Sequence, residues 1–486
     1  MVNPVNRYPF NFRNVQVDFD LDGKKNAHVV HFEGEALENG STAGKLDLTL
    51  VGNGKASELI SSPSTVKASL SNFSSHIADV FFKTRGQLPD LIGPSLDLKY
   101  AMGTAGGRQN LDIQIESNGL TLDGAFYAGE TLELRSPRKP LKIRWDLTEK
   151  SYDAFRRWRN PNQQITSNNP LFTIDGSGVL KIQISPFSIP MIDQDKGFPK
   201  PDFNLFGSHF DVNVRVDDLK LKQGRTGATT VLEKFDFDIV KKRVGNNPLT
   251  FKFNGSVSPI GERKSGLIQG SGTITDFLSS AGTLDFKDVS TSIHARIRNL
   301  PSVFVDALSK FDEASGFPPS AFLGDLFNAT FDAEVGGLFK SESKGNVSLW
   351  FAPAGFNMNR GKMYVERTEI LYNKAYQVCL WGNIRFPKRY VAMTLGLTAQ
   401  ALRSALSIKG INDNYVLKVP VEGPFGNVEI DTGAATGKIA LLVARKQIAP
   451  KAGIWGPVLG PVGDLADDQS DVPPPKTPFP WQDKVN

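Results

Sequence analysis

Alternation of apolar and polar residues along most of the chain is the sequence feature that most limits the fold. The segment "VQVDFDL" places Val15, Val17 and Phe19 on one side and amide or acidic residues on the other, and "LKIRWDL" and "KFDFDIV" repeat this pattern. A period of two residues is typical of strands that are buried on one face, as in antiparallel sheets. Turn residues separate the segments, as in "DLDGKK", "GNGK" and "KQGRTG". We therefore predict a mainly β protein with about 25 strands of ordinary length.

Composition and charge exclude several classes of protein. Cys379 is the only cysteine, so the chain has no disulfide framework and no thiolate metal cage. The net charge of +5 over 486 residues is too dilute to indicate nucleic-acid binding. The basic runs "FRRWR" and "ARKQIAPK" are more often solvated helix faces than contacts with anionic headgroups. No apolar run approaches the ~20 residues of a transmembrane helix, and "MVNPVNRYPF" lacks the pattern of a signal peptide.

Motifs for catalysis or metal binding are absent from the sequence. There is no nucleophile elbow, P-loop, dinucleotide glycine motif or zinc-binding His-Glu-x-x-His. His28 and His31 are three apart on a predicted strand, so they point to opposite faces and do not favour a zinc site. Asp193 and Asp195 lack the later bidentate glutamate of a helix–loop–helix calcium site. We predict no catalytic residue, no metal site and no cofactor, and therefore a protein that is not an enzyme.

Helical patterns interrupt the strands at three places in a body predicted to span residues 1–431. The segments near 63–82, 148–158 and 301–311 carry apolar residues three or four positions apart. Thr148 is the expected N-cap of the second helix, because a threonine hydroxyl can accept a hydrogen bond from a free backbone N–H of the first turn.

Two further segments follow the β body. Residues 432–448 are predicted to form an amphipathic helix, with Ile439 and its apolar neighbours on one face and basic residues in the last turn. Residues 449–486 read as a Pro/Gly-rich tail, extended or disordered, whose two tryptophans could dock on the body.

The apolar faces of the strands are the candidate working surface. The chain has 33 phenylalanines against 9 tyrosines and 6 tryptophans, which favours a large buried or lipid-like surface because phenylalanine has no polar group. A curled, twisted sheet of about 25 strands would form an elongated apolar groove, whereas two packed sheets would form a closed sandwich. Alternation alone leaves both open. The groove candidates are Val15, Val17, Phe19, Leu48, Leu98, Ile113, Ile143, Trp145, Ile182, Val214, Phe235, Phe237, Phe253, Phe286, Leu349 and Ile430.

The segment "LKVPVEGPFGNVEIDTGAATGKIALLVARKQ" resembles the C-terminal end of the AsmA-like family, which includes the TamB relatives. In that family a strand leads through a Pro/Gly turn into a short strand ending in aspartate, and then into an Ala/Leu/Lys-rich helix. The segment "IHARIRNLPSVFVDALSKF" is similar to the strand-to-helix element of the same family. The matching positions at the C-terminal end are Pro420, Gly423, Asn427, Val428, Ile430 and Asp431, followed by 439–446.

The resemblance implies a non-catalytic β-groove protein of the bacterial cell envelope. Such a protein would bind phospholipid or another acyl lipid and conduct it between inner and outer membranes, supporting outer-membrane assembly. The family resemblance also implies a periplasmic location with an inner-membrane anchor in the full-length protein, contact with a membrane surface, and partners among inner- or outer-membrane proteins. The alternative is a structural or adhesive envelope protein built as a β-sandwich or solenoid.

Overall fold

A long antiparallel sheet dominates the computed structural model, as the alternation predicts. The structure describes residues 10–22, 27–53, 64–82, 84–105, 108–159, 172–192, 200–201, 205–223, 229–259, 266–278, 289–301, 348–372, 375–407, 411–424, 428–431, 437–439, 469–477, 479 and 481. These residues contain 23 strands, close to the number expected. Each strand pair recorded among them is antiparallel.

The first part of the sheet contains these strands: β1 (Phe10–Asp22), β2 (Ala27–Glu38), β3 (Ser41–Asn53), β4 (Thr65–Ser74), β5 (Ser95–Ala105), β6 (Arg108–Ser117), β7 (Leu120–Ala128), β8 (Thr131–Leu134), β9 (Leu141–Thr148), β10 (Phe172–Ile174), β11 (Ser177–Ile192) and β12 (Lys200–Pro201). The second part contains β13 (His209–Gln223), β14 (Thr229–Lys241), β15 (Leu249–Pro259), β16 (Gly266–Thr275), β17 (Ser290–Pro301), β18 (Ser348–Asn359), β19 (Lys362–Tyr372), β20 (Tyr376–Arg385), β21 (Tyr390–Thr398), β22 (Val416–Pro424) and β23 (Glu429–Ile430).

The sheet is an up-and-down meander. Three short strands lie beside the ends of longer ones, with β8 paired to β7 and β11, β10 to β13, and β12 to β11. The remaining strands pair with their neighbours in chain order from β1 to β23, with β9 joining β7 to β11. Because neighbouring strands are ~4.8 Å apart, such a sheet extends over roughly 90 Å before twist is considered. Among the described strands, β1 pairs with β2 alone, so the sheet does not close on itself through β1.

Four helices lie at one margin of the sheet, which we call the helical rim. They are α1 (Ser75–Phe82) and α2 (Leu88–Ile92) between β4 and β5, α3 (Glu149–Arg159) after β9, and α4 (Ala399–Leu406) between β21 and β22. In a meander, alternate connections share a margin, so these three connections fall on the same side. The opposite margin, the hairpin rim, carries the turns that end β8, β14, β18 and β20. No helix in the described part of the chain is long and apolar enough to cross a membrane.

The predicted helix after β9 is confirmed, including its N-cap. The Thr148 hydroxyl accepts a hydrogen bond from the Ser151 backbone N–H at 3.1 Å, and the Ser151 hydroxyl in turn accepts one from the Thr148 N–H at 2.9 Å. This reciprocal pair satisfies backbone donors that the first helical turn leaves free.

The helix predicted near 63–82 is wrong over its first half, where β4 occupies Thr65–Ser74. The apolar residues Val66 and Leu70 fit a strand as well as a helix. A β-bulge between Leu70 and Phe73, with Asn72 at φ 45°, then adds one residue and returns Phe73 to the same face. The resulting spacing of four and three residues imitates helical periodicity.

The remaining predicted segments lie partly outside the described residues. The helix predicted near 301–311 lies outside the described residues, apart from Pro301 at the end of β17. Of the helix predicted over 432–448, residues 437–439 are described and are helical. Of the tail, residues 469–477 are described as an extended segment packed on the sheet, and Trp481 stacks on Phe479 with ring centroids 5.1 Å apart. Trp455 lies outside the described residues.

Candidate functional site

One face of the sheet carries an unbroken row of apolar residues from strand to strand. Residues paired directly across antiparallel strands share a face, so the register of each pair carries the face to the next strand. From β3 to β18 a single row of such partners crosses roughly 60 Å, at ~4.8 Å per strand. The row consists of Leu46, Leu70, Leu98, Ile115, Leu122, Ile143, Ile182, Val214, Phe237, Phe253, Gly270, Ala295 and Ala354.

The same face continues to both ends of the sheet. At the N-terminal end Val17 pairs with Phe32, and Phe32 pairs with Leu48. Towards the C-terminus the rows pass through β19 to β22, where paired apolar residues include Ile370 with Val378 and Val378 with Leu397. We call this continuous surface the apolar face.

The opposite face carries an equally continuous polar row, displaced by one residue along each strand. Side chains on this polar face, within the row and beside it, form cross-strand hydrogen bonds and ion pairs. Asn213 Nδ2 donates to Asp238 Oδ1 at 2.7 Å, and Lys181 Nζ lies 2.8 Å from Asp217 Oδ2. The row consists of Gln16, Glu33, Asp47, Ser69, Lys99, Gln114, Asp123, Lys142, Gln183, Asn213, Asp238, Lys252, Ser271 and His294. A sheet with this division is amphipathic over most of its length.

The apolar face is covered to different degrees along the sheet. Near the C-terminus it is buried completely, with Val378 at 0% and Leu395 at 1% exposure. In the middle, Ile182, Val214 and Phe237 at the centre of the strands are only half-buried, whereas Val257 and Ile268, nearer the helical rim, are buried. The same kind of side chain is therefore closed off at one end of the sheet and reached by solvent in the middle. A dry sandwich core along the whole sheet does not account for the half-buried middle.

Phenylalanine rings in the middle of the apolar face lie across glycines of the next strand. A Cβ added at Gly270 would come within 2.3 Å of the Phe253 ring, and one at Gly272 within 2.5 Å of the Phe251 ring. Phe253 and Phe251 are the registered partners of these two glycines. Each ring thus fills the place of its neighbour's missing side chain and lies along the sheet. The surface there is aromatic and low.

Helices cover the apolar face near its N-terminal end. Ile77 of α1, Leu91 of α2 and Ala154 of α3 belong to one buried cluster, against which Leu70 and Leu98 of the apolar face pack. The Trp145 indole N–H, on the apolar face of β9, donates to the Leu91 carbonyl of α2 at 2.9 Å. The edge strand β1 is not covered in this way, because Val15, Val17 and Phe19 are 46%, 42% and 68% exposed.

The C-terminal end of the apolar face is closed by helical residues. Ala401 and Leu402 of α4 are part of a large buried cluster that contains residues of β18 to β22 and extends to Leu232 and Val257 of the middle strands, and Ile439 packs against it. Ile439 belongs to the helical turn within the segment that resembles the AsmA-like family. This turn lies at the C-terminal end of the apolar face.

The polar face of the same strands is covered by residues 469–477, which we call the strap. The Gln469 side-chain amide donates to the Val416 carbonyl and accepts from the Val416 N–H, both at 3.0 Å. Val472 packs against Cys379 and Trp381. Further along, Lys476 pairs with Glu366 of β19. The strap therefore crosses from β22 to β19 and leaves the last strands covered on both faces.

A buried ion pair lies beneath the strap. Arg367 Nε donates to Glu369 Oε1 at 2.7 Å, with the two side chains 7% and 0% exposed, and Arg367 Nη1 also donates to the Pro473 carbonyl at 2.6 Å. Burial raises the pKa of Glu369, although the Arg367 guanidinium and a hydrogen bond from Gln377 act in the opposite direction. Burial also raises the pKa of the Cys379 thiol, the partner of Glu369 in register. Arg367 therefore links the buried carboxylate of Glu369 to the backbone of the strap.

The structure brings the sequence-predicted groove residues onto one face. Those with described side chains all lie on the apolar face by register, and Val15, in a bulge of β1, contacts the Gly34 position of that face. Leu349 is 2% exposed and so lies in the closed end. Ile430 pairs with Val421 at the final strand, and Phe286 lies outside the described residues.

Sequence reasoning missed Phe251 and the glycines beneath the rings. The signal was present, because "LIQGSGTIT" continues an apolar alternation with glycines at alternate positions, directly after a Phe-x-Phe strand. It also missed the strap, whose docking depends on individual side-chain contacts that no periodicity reveals.

Histidines and acidic residues do not assemble into a metal site in the part of the chain that the structure describes. His28 lies on the apolar face and His31 on the polar face, as their spacing predicts. A comparison with models of known families, with curated proteins and with solved structures found no match to this chain. The amphipathic sheet is therefore the structural feature that bears most directly on function.

Proposed function

We propose that this chain is a non-catalytic lipid-binding protein whose apolar face forms a groove for acyl chains. The observation that carries the proposal is the row of registered apolar partners that stays half-buried in the middle of the sheet. An acyl chain lying on it would exchange water for hydrocarbon along its length. Burial contributes ~0.8 kcal/mol per CH₂, so a long chain gains on the order of 10 kcal/mol before the costs of binding.

The continuity of the face supports conduction along the sheet as well as binding. In the half-buried middle of the sheet every neighbouring pair in the row is apolar, so an acyl chain would move from strand to strand there without crossing a charged group. The polar face would meanwhile stay in water, and headgroups would remain at the margins. A face that changed from apolar to charged midway would not serve this purpose.

The resemblance of the C-terminal segment to the AsmA-like family supports a more specific form of the proposal. The ligand would be phospholipid, carried between inner and outer membranes in the periplasm of a bacterial envelope and supporting outer-membrane assembly. The full-length protein would be anchored in the inner membrane and would contact inner- or outer-membrane proteins. No nucleic acid, cofactor or metal has a role in this account.

Mass spectrometry of lipids extracted from the purified protein tests the proposal. We expect acyl lipid in the wild-type extract and several-fold less for Phe237→Glu, because a carboxylate on the half-buried apolar face must be desolvated next to the lipid. Asn254→Glu adds the same charge on the polar face of neighbouring β15, where Asn254 accepts a hydrogen bond from Gln269, and should leave lipid content unchanged.

A wild-type extract free of lipid, together with binding of a protein partner through surface loops, would instead support the structural or adhesive alternative. Equal lipid loss in both variants would show that added charge acts through general destabilisation, and would count against the apolar face as the binding surface.

A further inference from the structure

Two loops at the hairpin rim expose apolar side chains next to each other. Phe206, in the loop 205–208 before β13, is 39% exposed, and Val244, in the turn 242–248 between β14 and β15, is 54% exposed. The Gly245 N–H donates to the Phe206 carbonyl at 2.6 Å, which joins the loops directly. We call these two loops the rim tip.

A buried lysine fixes the shape of the rim tip. Lys241 is completely buried on the apolar side, between its registered partners Phe210 and Leu249. Its ammonium group donates to the Ser208 carbonyl and to the Arg243 carbonyl, both at 2.8 Å, so it links one loop to the other. Desolvation lowers the pKa of Lys241. Hydrogen bonds within the chain therefore fix the conformation of both loops before any partner binds.

The rim tip also carries positive charge that is not paired with an acidic residue in the described part of the chain. Lys242 and Arg243 are exposed, and neither forms an ion pair with a described residue. Residues 205–208 and 242–248 include no aspartate or glutamate. The basic run of α3 differs in this respect, because Arg157 contacts Gln87 and Asp90 and Arg156 contacts Asp153. Of these two basic runs, the one at the rim tip leaves its charges available.

The rim tip is continuous with the apolar face. Leu205 packs against the cluster that contains Leu249 and Phe277, together with Phe210, Ile239 and Phe251 of the apolar face. Exposed apolar side chains flanked by free cations are the combination that binds an anionic membrane surface, because the apolar groups enter the interface and the cations attract headgroups. An acidic protein partner would satisfy the charges but would leave unexplained the exposed Phe and Val beside the apolar face.

We propose that the rim tip docks the protein on a bilayer containing anionic lipid, with Phe206 and Val244 inserted among the headgroups and Lys242 and Arg243 paired with phosphates. This inference rests on the proposed function, since it places a membrane beside the middle of the groove. It is a separate site, and the groove could bind lipid without it.

Co-sedimentation with vesicles tests the docking site. Wild-type protein should bind vesicles of phosphatidylglycerol and phosphatidylcholine more tightly than vesicles of phosphatidylcholine alone, and the difference should shrink as salt rises. Lys242→Gln with Arg243→Gln should weaken binding by about tenfold or more, since each basic residue near an anionic surface contributes appreciably. Phe206→Ser with Val244→Ser should weaken binding to both kinds of vesicle.

A matched control is available on β19, where the Lys362 ammonium lies 4.5 Å from the centroid of the 48% exposed Tyr364 ring. Lys362→Gln with Tyr364→Ser removes a comparable basic and aromatic pair and should leave vesicle binding unchanged. Circular dichroism confirms that each variant is folded. Unchanged vesicle binding in both rim-tip variants, or equal loss in the control, would overturn the proposal.

The amount of lipid extracted from the same preparations separates the two proposals. Lipid retained by rim-tip variants that no longer bind vesicles supports both. If the extract contains lipid but the rim-tip variants bind vesicles as the wild type does, the docking site is rejected and the groove is not. Absence of lipid from the wild type rejects the groove, and capture of an acidic protein with no affinity for vesicles would reject the membrane as the partner of the rim tip.

Discussion

At the scale of single residues, Gly270 and Gly272 set the height of the apolar face in the middle of the sheet. Each is the registered partner of a phenylalanine whose ring occupies the space above it. Glycine weakens a strand interior because it has no side chain to pack, so its presence here calls for a reason of this kind. The rings of Phe253 and Phe251 explain the two glycines, because each ring lies flat across its partner glycine and replaces the packing that a side chain would provide.

Substitution of Gly270 by valine tests this role. The new Cβ would meet the Phe253 ring at 2.3 Å and the His294 carbonyl oxygen at 2.9 Å, so the ring must turn away from the sheet and β17 must shift slightly. We expect several-fold weaker binding of a fluorescent fatty acid, with secondary structure retained. Gly103→Val is the control, since Gly103 is a strand glycine on the polar face whose Cβ would make an ordinary 3.4 Å contact with Thr65. Equal effects of the two changes would reject the role given to the rings.

At the scale of elements, strands were more predictable than helices. Alternation identified the strands around Val15, Ile143 and Phe237 because one face of each meets an apolar environment and the other meets water. The helix predicted over Pro63–Phe82 was wrong in its first half, because the bulge before Phe73 gave a strand with a period of two an apparent period near 3.5. The strap could not be foreseen, because Gln469 and Arg367 act through hydrogen bonds to backbone atoms distant in sequence.

Loss of Arg367 tests how the strap and the last strands are held together. Arg367→Met leaves Glu369 buried without its cation, which should cost about 3–5 kcal/mol of unfolding free energy near neutral pH. The pKa of Glu369 is already raised by burial, and removal of the guanidinium raises it further. A carboxyl with a raised pKa destabilises the folded state as pH rises through the interval from its ordinary value to the raised one. The stability lost in Arg367→Met should therefore grow from pH 4 to pH 8.

Urea unfolding followed by tryptophan fluorescence at several pH values measures this effect. Trp350 and Trp381 lie in the strands concerned and should report it. A loss of stability that is the same at every pH would show that Glu369 does not carry the charge proposed for it beneath the strap.

At the scale of the whole molecule, the sheet is closed at its C-terminal end and half-open in the middle. Fold class followed from the sequence because alternation over hundreds of residues has few other solutions than an antiparallel sheet. How far the apolar face is covered could not be predicted from the sequence, since Val378 and Ile182 lie in similar alternating segments yet differ in burial. Cover depends on which helices and loops pack over each part, and that is decided by contacts between segments distant in sequence.

Site-specific photocrosslinking tests the central claim most directly. A photoreactive amino acid is placed at Phe237 on the apolar face or at its chain neighbour Asp238 on the polar face, and the protein is irradiated in cells with labelled phospholipid. The account predicts lipid adducts from position 237 and few or none from position 238, because one residue along a strand changes the face. Equal labelling at the two positions, or labelling at neither, would contradict the claim that the apolar face carries lipid.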